Sequence, residues 1–190
     1  MKIGLFFGSF NPIHIGHQII ANYMANYTDL DQVWLVVSPQ NPLKTKNDLI
    51  NVYDRLEMTK LAFEESTKIK VSDIELKLPL PSYTIDTLTH LQEKYPENHF
   101  SLLMGADNLS TIHKWKNFEQ ILKYYSILVY PRPGIDLSKW KDNPSVTITE
   151  APLMEISATF IRKSIQQKKN VQYFISEKVL QFIESKSLYK

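Results

Sequence analysis

At 190 residues, 43% of them hydrophobic and 12% aromatic, the chain is long enough to bury a sizeable core as one domain and too apolar to be disordered. Its 22 Lys/Arg against 20 Asp/Glu leave a net charge of +2, an overall balance with no electrostatic footprint for duplex nucleic acid, though it does not speak to a local basic patch. Having no cysteine, it has no disulfides, thiolate nucleophiles or thiolate zinc sites.

In chain order, short apolar or β-branched runs alternate with longer stretches of helical period. The first strand is expected over 2–7; its apolar run is too short for a secretory leader, being broken by Gly8 and Pro12. A helix over 15–27 and a strand over 32–38 follow. The clearest helix spans 49–65, with Leu49, Val52, Tyr53, Leu56, Leu61 and Phe63 mostly on one face. The later strands are expected over 68–74, 99–104, 126–130 and 146–149, and the later helices over 83–94, 118–123, 158–167 and 176–185. Residues 131–144 read as a loop excursion or a mobile flap, not as a domain boundary. No run of about eighteen apolar residues occurs, so a soluble, cytoplasmic protein without a membrane partner is expected. The βαβαβ order predicts an α/β fold: a doubly wound parallel sheet in a single domain over 1–190, ending in a small C-terminal helical part. In such sheets ligands sit beyond the carboxyl ends of the strands, where the strand order reverses. The segments to read are therefore "GSFNPIHIGH", "SPQNPLKTK", "GADNL" and "EISATFIR".

In "GSFNPIHIGH", Gly8 and Ser9 have little bulk, so a ligand can approach the backbone. Asn11-Pro12 signals a turn, and His14 to His17 are expected to form the first turn of a helix. A helix start offers unpaired N–H groups and a positive dipole end, a seat for phosphate. His14 and His17, at i and i+3, share a face that Gly16 is expected to keep clear for the ligand. Imidazoles donate hydrogen bonds to phosphate oxygens, more strongly when protonated. Two competing readings are a chance surface pair and a zinc site, though helical zinc pairs are usually i, i+4 with a glutamate. Neither a P-loop nor a dinucleotide glycine fingerprint is present. Elsewhere each residue has a plain structural reading as well. Ser157 suits a helix N-cap, as do Ser82 or Thr84 and Asp107. Trp115 suits the core, Arg132 a solvated surface, and Arg55 a structural role on an amphipathic helix.

Together these motifs resemble those of the nicotinate mononucleotide adenylyltransferases, in the H-x-G-H nucleotidyltransferase superfamily that also holds the class I aminoacyl-tRNA synthetases. "GSFNPIHIGH" fits G-[ST]-F-[DN]-P-x-H-x-G with His17 completing it, and "ISATFIR" is similar to I-S-[ST]-T-x-[IV]-R. "PSYTIDTL", "GADNLSTIHKW", "RPG" and the ending "VQYFISEKVLQFIESKSLY" extend the likeness over nearly the whole chain. The resemblance implies a Rossmann-like nucleotidyltransferase fold. It also implies adenylyl transfer from ATP to nicotinate mononucleotide in NAD biosynthesis, giving nicotinate adenine dinucleotide and pyrophosphate.

By the same resemblance, His14 and His17 act on the α-phosphate as the catalytic pair. Gly8, Ser9, Phe10, Asp107 and Arg132 line the ATP side, with Asp107 accepting from a ribose hydroxyl. Ser157, Thr159 and Arg162 hold the β and γ phosphates. Thr84 and its backbone face the nicotinate, and the pyridine ring stacks on Trp115. "SPQNPLKTK" departs from the expected V-P-x-x-x-P-P-H-K, with Leu43 in place of the second proline and no histidine. Asn41 and Lys44 are the substrate contacts expected there, with Gln40 and Lys46 as alternatives. Mg²⁺ is expected to be held mainly by ATP phosphates, without protein metal ligands. A phosphomonoester with a second pKa near ~6 is already largely dianionic at neutral pH, so direct in-line attack needs neither general base nor covalent intermediate. Phosphopantetheine adenylyltransferase and the cytidylyltransferases share the first motif, but they fit the middle motifs poorly. A synthetase remnant would bring a K-M-S-K-S-like loop, which is absent here. A sensor that had lost catalysis would more naturally have lost a histidine or the Ser-x-Thr-x-x-Arg element. The motifs do not distinguish acid from amide mononucleotide, and they leave assembly into a homo-oligomer open.

Overall fold

Successive side chains of a strand point to opposite faces of its sheet, and the strand runs here are apolar on both, so both faces must be covered. The computed structural model describes residues 1–40 and 49–190. Among these residues six parallel strands form one sheet: β1 (Lys2–Gly8), β2 (Gln32–Val37), β3 (Ile69–Ser72), β4 (His99–Gly105), β5 (Ser126–Tyr130) and β6 (Val146–Ile148). Their order is β3-β2-β1-β4-β5-β6. Among the described residues seven α-helices connect or follow them: α1 (Ile15–Tyr27), α2 (Val52–Phe63), α3 (Thr84–Lys94), α4 (Ala106–Ser110), α5 (Phe118–Tyr124), α6 (Ala158–Gln166) and α7 (Glu177–Ser185).

Alternation along the strands builds two cores. On one face Phe6, Val33, Leu35 and Leu103 meet Ile20 and Met24 of α1, Met58 of α2, Ile161 of α6 and Val179 of α7. On the other, Ile3, Leu5, Leu102 and Val129 meet Leu88 of α3, Leu109 of α4 and Ile121 of α5. The C-terminal helices therefore belong to the same layer as α1 and α2. The fold is the expected doubly wound α/β arrangement.

The helix expected over 49–65 is shorter than its sequence pattern. Asn51 Oδ1 accepts from the Tyr53 N–H at 2.9 Å and caps α2 at Val52, so Leu49 lies outside the helix. Tyr53 faces solvent, and the buried side comprises Arg55, Leu56, Met58, Thr59 and Phe63. The third strand ends at Ser72, because Ile74–Lys77 turn into a short 3-10 helix. Periodicity did not reveal α4, whose five residues are fewer than two turns.

The chain runs outward from β1 to β2 and β3, then returns to place β4 on the other side of β1. The order reverses between β1 and β4, so the loops after Gly8 and Gly105 open side by side at the carboxyl end of the sheet.

Candidate active site

The loop after β1 is built from the inside. Phe10 takes a left-handed backbone (φ 44°) and tucks its ring beneath Gly8, where a Cβ would stand 2.7 Å from ring carbons. The missing side chain at Gly8 thus makes room for Phe10, not only for a ligand. Buried Asn11 is held at both ends: Arg162 Nη1 donates to its carbonyl oxygen at 2.9 Å, and the Tyr189 hydroxyl donates to Oδ1 at 2.8 Å. Arg55, only 1% exposed, donates through Nη1 to Ser9 O at 2.6 Å and Ser38 O at 2.8 Å, and through Nη2 to Pro39 O at 2.9 Å. Burial lowers its pKa to about 10, which leaves it charged at neutral pH. Its structural role is as expected; that it joins the loops after β1 and β2 was not legible in sequence.

His14 is the N-cap of α1, and its N–H donates to His17 Nδ1 at 3.3 Å. That bond places the proton of a neutral His17 on Nε2. The two rings lie against each other with centroids 3.7 Å apart and planes tilted by 31°, and His17 packs edge-on against Phe10. His14 is 5% exposed, with Nδ1 buried and no hydrogen-bond partner among the described residues. Burial first, and the Arg132 charge second, push its pKa down to about 4. In the free protein it is therefore a neutral ring, not the cation that would bind phosphate most strongly.

Two further expectations change here. The Ile15 N–H, at the helix start, donates to Phe174 O at 2.9 Å, so the protein itself uses one donor of the phosphate seat. A Cβ on Gly16 would stand 2.6 Å from Ile156 Cγ2, so this glycine lets "ISATFIR" pack onto α1 where ligand space was expected.

That contact brings the second motif to the first. Ser157 caps α6, its Oγ accepting from the Phe160 N–H at 3.2 Å. Thr159 Oγ1 accepts from Arg162 Nη2 at 3.4 Å, while the same guanidinium reaches Asn11. On the β4 side the N-cap of α4 is Gly105, so Asp107 is not a cap. Asp107 Oδ1 lies 3.6 Å from Arg132 Nε instead. Arg132 also donates to Met154 O at 3.0 Å and lies over the Tyr130 ring, which places it in the site and not in bulk solvent.

A cleft of about 330 Å³ opens from Gly8 and Ser9 toward Thr84 and Trp115, with Ser38, Gln40, Glu75 and Lys116 also in its wall. Thr84 begins α3 behind Tyr83, and no side chain caps that helix, so neither Ser82 nor Thr84 serves as the cap. Trp115 packs partly on the second core while lining the cleft. Glu75 escaped sequence reading. It is 3% exposed, accepts from Thr87 Oγ1 at 2.9 Å, and burial raises its carboxyl pKa against the opposing effect of the Ser38, Thr87 and Ser82 hydroxyls. Its only sequence signal was an acidic residue between apolar neighbours. Asn41, Lys44 and Lys46 lie outside the described residues. Among the described residues no three His, Asp or Glu side chains stand together as a metal site, and no helix is long and apolar enough to cross a membrane.

The sequence profile described as cytidylyltransferase-like matches residues 5–164. The chain is 54% identical over 192 residues to a protein of Flavobacterium johnsoniae, with full coverage of both. It is 45% identical over 183 residues to one of Bacteroides thetaiotaomicron, covering 96% of this chain and 91% of that one. Each is named a probable nicotinate-nucleotide adenylyltransferase. Among solved structures, the Plasmodium falciparum nicotinic acid mononucleotide adenylyltransferase complexed with NaAD matches at a TM-score of 0.83. With 19% identity over 99% of this chain and 97% of that one, the likeness is one of fold.

Proposed function

The chain belongs to the cytidylyltransferase-like family and, at 54% identity over its full length, to the nicotinate-nucleotide adenylyltransferases, and from that premise we propose how its loops divide the reaction. The enzyme transfers the adenylyl group of ATP to nicotinate mononucleotide. An oxygen of the mononucleotide phosphate attacks the α-phosphorus, the bond from that phosphorus to the bridging oxygen breaks, and pyrophosphate leaves.

One observation carries the division of roles: the cleft of Thr84 and Trp115 starts at Gly8 and Ser9, on the loop that leads into His14 and His17. A pyridine ring stacked on Trp115 would direct its ribose phosphate along that loop to the histidine pair. The hydroxyl of Thr84 and the N–H groups of the α3 start suit a carboxylate better than a neutral amide. On the other side of the pair, Ser157, Thr159 and Arg162 receive the β and γ phosphates, and Asp107, held by Arg132, accepts from the adenosine ribose. His17 presents Nε2–H toward the charge that builds at the α-phosphate, and neutral His14 supports it through the contact of its ring and the bond from its backbone N–H to His17 Nδ1. Catalysis is thus positioning and charge stabilisation, with no covalent enzyme intermediate. With no carboxylate cluster in the described residues, Mg²⁺ would ride on the triphosphate oxygens and water, where it offsets phosphate charge. The bacterial cytoplasm, where NAD is made in this family, is the proposed setting.

The test is pyrophosphate release with ATP and Mg²⁺, comparing nicotinate mononucleotide with its amide, in the wild type and in His17→Ala. The acid is expected to be strongly preferred, and folded His17→Ala to lose about 10²–10³ in rate, the usual cost of one charge-stabilising donor. Equal use of acid and amide would undo the carboxylate assignment at Thr84. Near-normal turnover by His17→Ala would undo the mechanism.

A further inference from the structure

The segment after α7 has no role in the reaction described above, yet its geometry leads into the site. Lys186 is the C-cap of α7, and Ser187 beyond it takes the left-handed backbone (φ 52°) that glycine usually supplies. The Leu188 N–H donates to Ile183 O at 3.0 Å and the Ser187 N–H to Glu184 O at 3.1 Å, the paired bonds of a Schellman closure. This folds Leu188 back onto the first core and delivers Tyr189, itself left-handed (φ 62°), to the loop after β1. Non-glycine residues hold such conformations only where surrounding contacts enforce them, and they gather at functional sites. The contact that Tyr189 gains is its hydroxyl bond to Asn11 Oδ1 at 2.8 Å. Burial raises the phenol pKa, so the hydroxyl remains a donor throughout the neutral range.

Asn11 is the pivot of the loop. It follows left-handed Phe10, stands three residues before His14, and has its carbonyl fixed by Arg162. With Oδ1 also held, both ends of the residue are specified, and with them the direction in which the chain enters α1. We propose that Tyr189 is a positioning residue of this adenylyltransferase, acting through Asn11 to hold the loop that carries His14 and His17. The inference rests on the assignment of that loop to phosphoryl transfer.

Tyr189→Phe removes only the hydroxyl. Its kcat is expected to fall about tenfold, with KM for ATP and for the mononucleotide within about twofold of wild type and Tm lowered by only about 2–4 °C. In an Asn11→Ala background, or Asn11→Ser should that variant not fold, adding Tyr189→Phe is expected to change kcat by less than about twofold, because the shared bond is already gone. A Tyr189→Phe enzyme with wild-type kcat would overturn the proposal. So would a tenfold loss that persists undiminished in the Asn11 background, since Tyr189 would then act elsewhere. A wild type that does not turn over nicotinate mononucleotide would instead overturn the functional assignment on which the proposal rests.

Discussion

His14 illustrates how far a residue's chemistry depends on what surrounds it. As one letter in "HIGH" it is a hydrogen-bond donor to phosphate, stronger if protonated, and its charge state is not legible. Packed against His17, buried, and facing the Arg132 charge, it is a neutral ring with a pKa of about 4. Its pKa is lowered on folding, so the unfolded chain binds more protons between the ordinary value of 6.5 and about 4. The His14 contribution is therefore intact above pH 6.5 and is lost progressively as pH falls toward 4. Between pH 7 and pH 5 the wild type should lose about 2 kcal/mol of stability relative to His14→Gln, measured by urea unfolding of both at each pH. The sequence picks out these candidate residues by type and spacing but not by state. Gly16 shows the same limit: the need for a glycine was legible, whereas its neighbour Ile156 comes from 140 positions away and only the fold supplies it.

Among the elements, the strands were the most legible, because apolar runs a few residues long leave little choice once both faces must be buried. Helix ends were less so. Asn51 stops α2 from extending back to Leu49, and Tyr53, apolar in pattern, points outward while the charged Arg55 points in. No periodicity argument buries an arginine; its reason is the carbonyl groups of Ser9, Ser38 and Pro39 at two strand ends. The guanidinium fork reaches all three at once, and an ammonium group does not. Arg55→Lys should therefore lower stability by about 2–4 kcal/mol, checked by denaturant titration. Because Ser9 O is one of the three, kcat should fall with it in steady-state kinetics.

At the scale of the whole molecule, one sheet serves two cores. β1 alone contributes Phe6 to one and Ile3 and Leu5 to the other, so we propose that the described chain unfolds as a single domain. Trp34, Trp115 and Trp140, the three tryptophans of the sequence, all pack on the α3–α5 face, while far-ultraviolet dichroism reports helices on both faces. Heating should give coincident transitions by tryptophan fluorescence and dichroism. A fluorescence midpoint more than about 5 °C from the dichroism midpoint would mean that the faces melt separately. The order of the strands has one more consequence. The sheet ends in β3, four residues long, and β6, three residues long, while its longest strands lie at the centre. A strand from another copy would find at either edge only three or four residues to pair with, too short a template for the edge-to-edge growth that leads to fibrils.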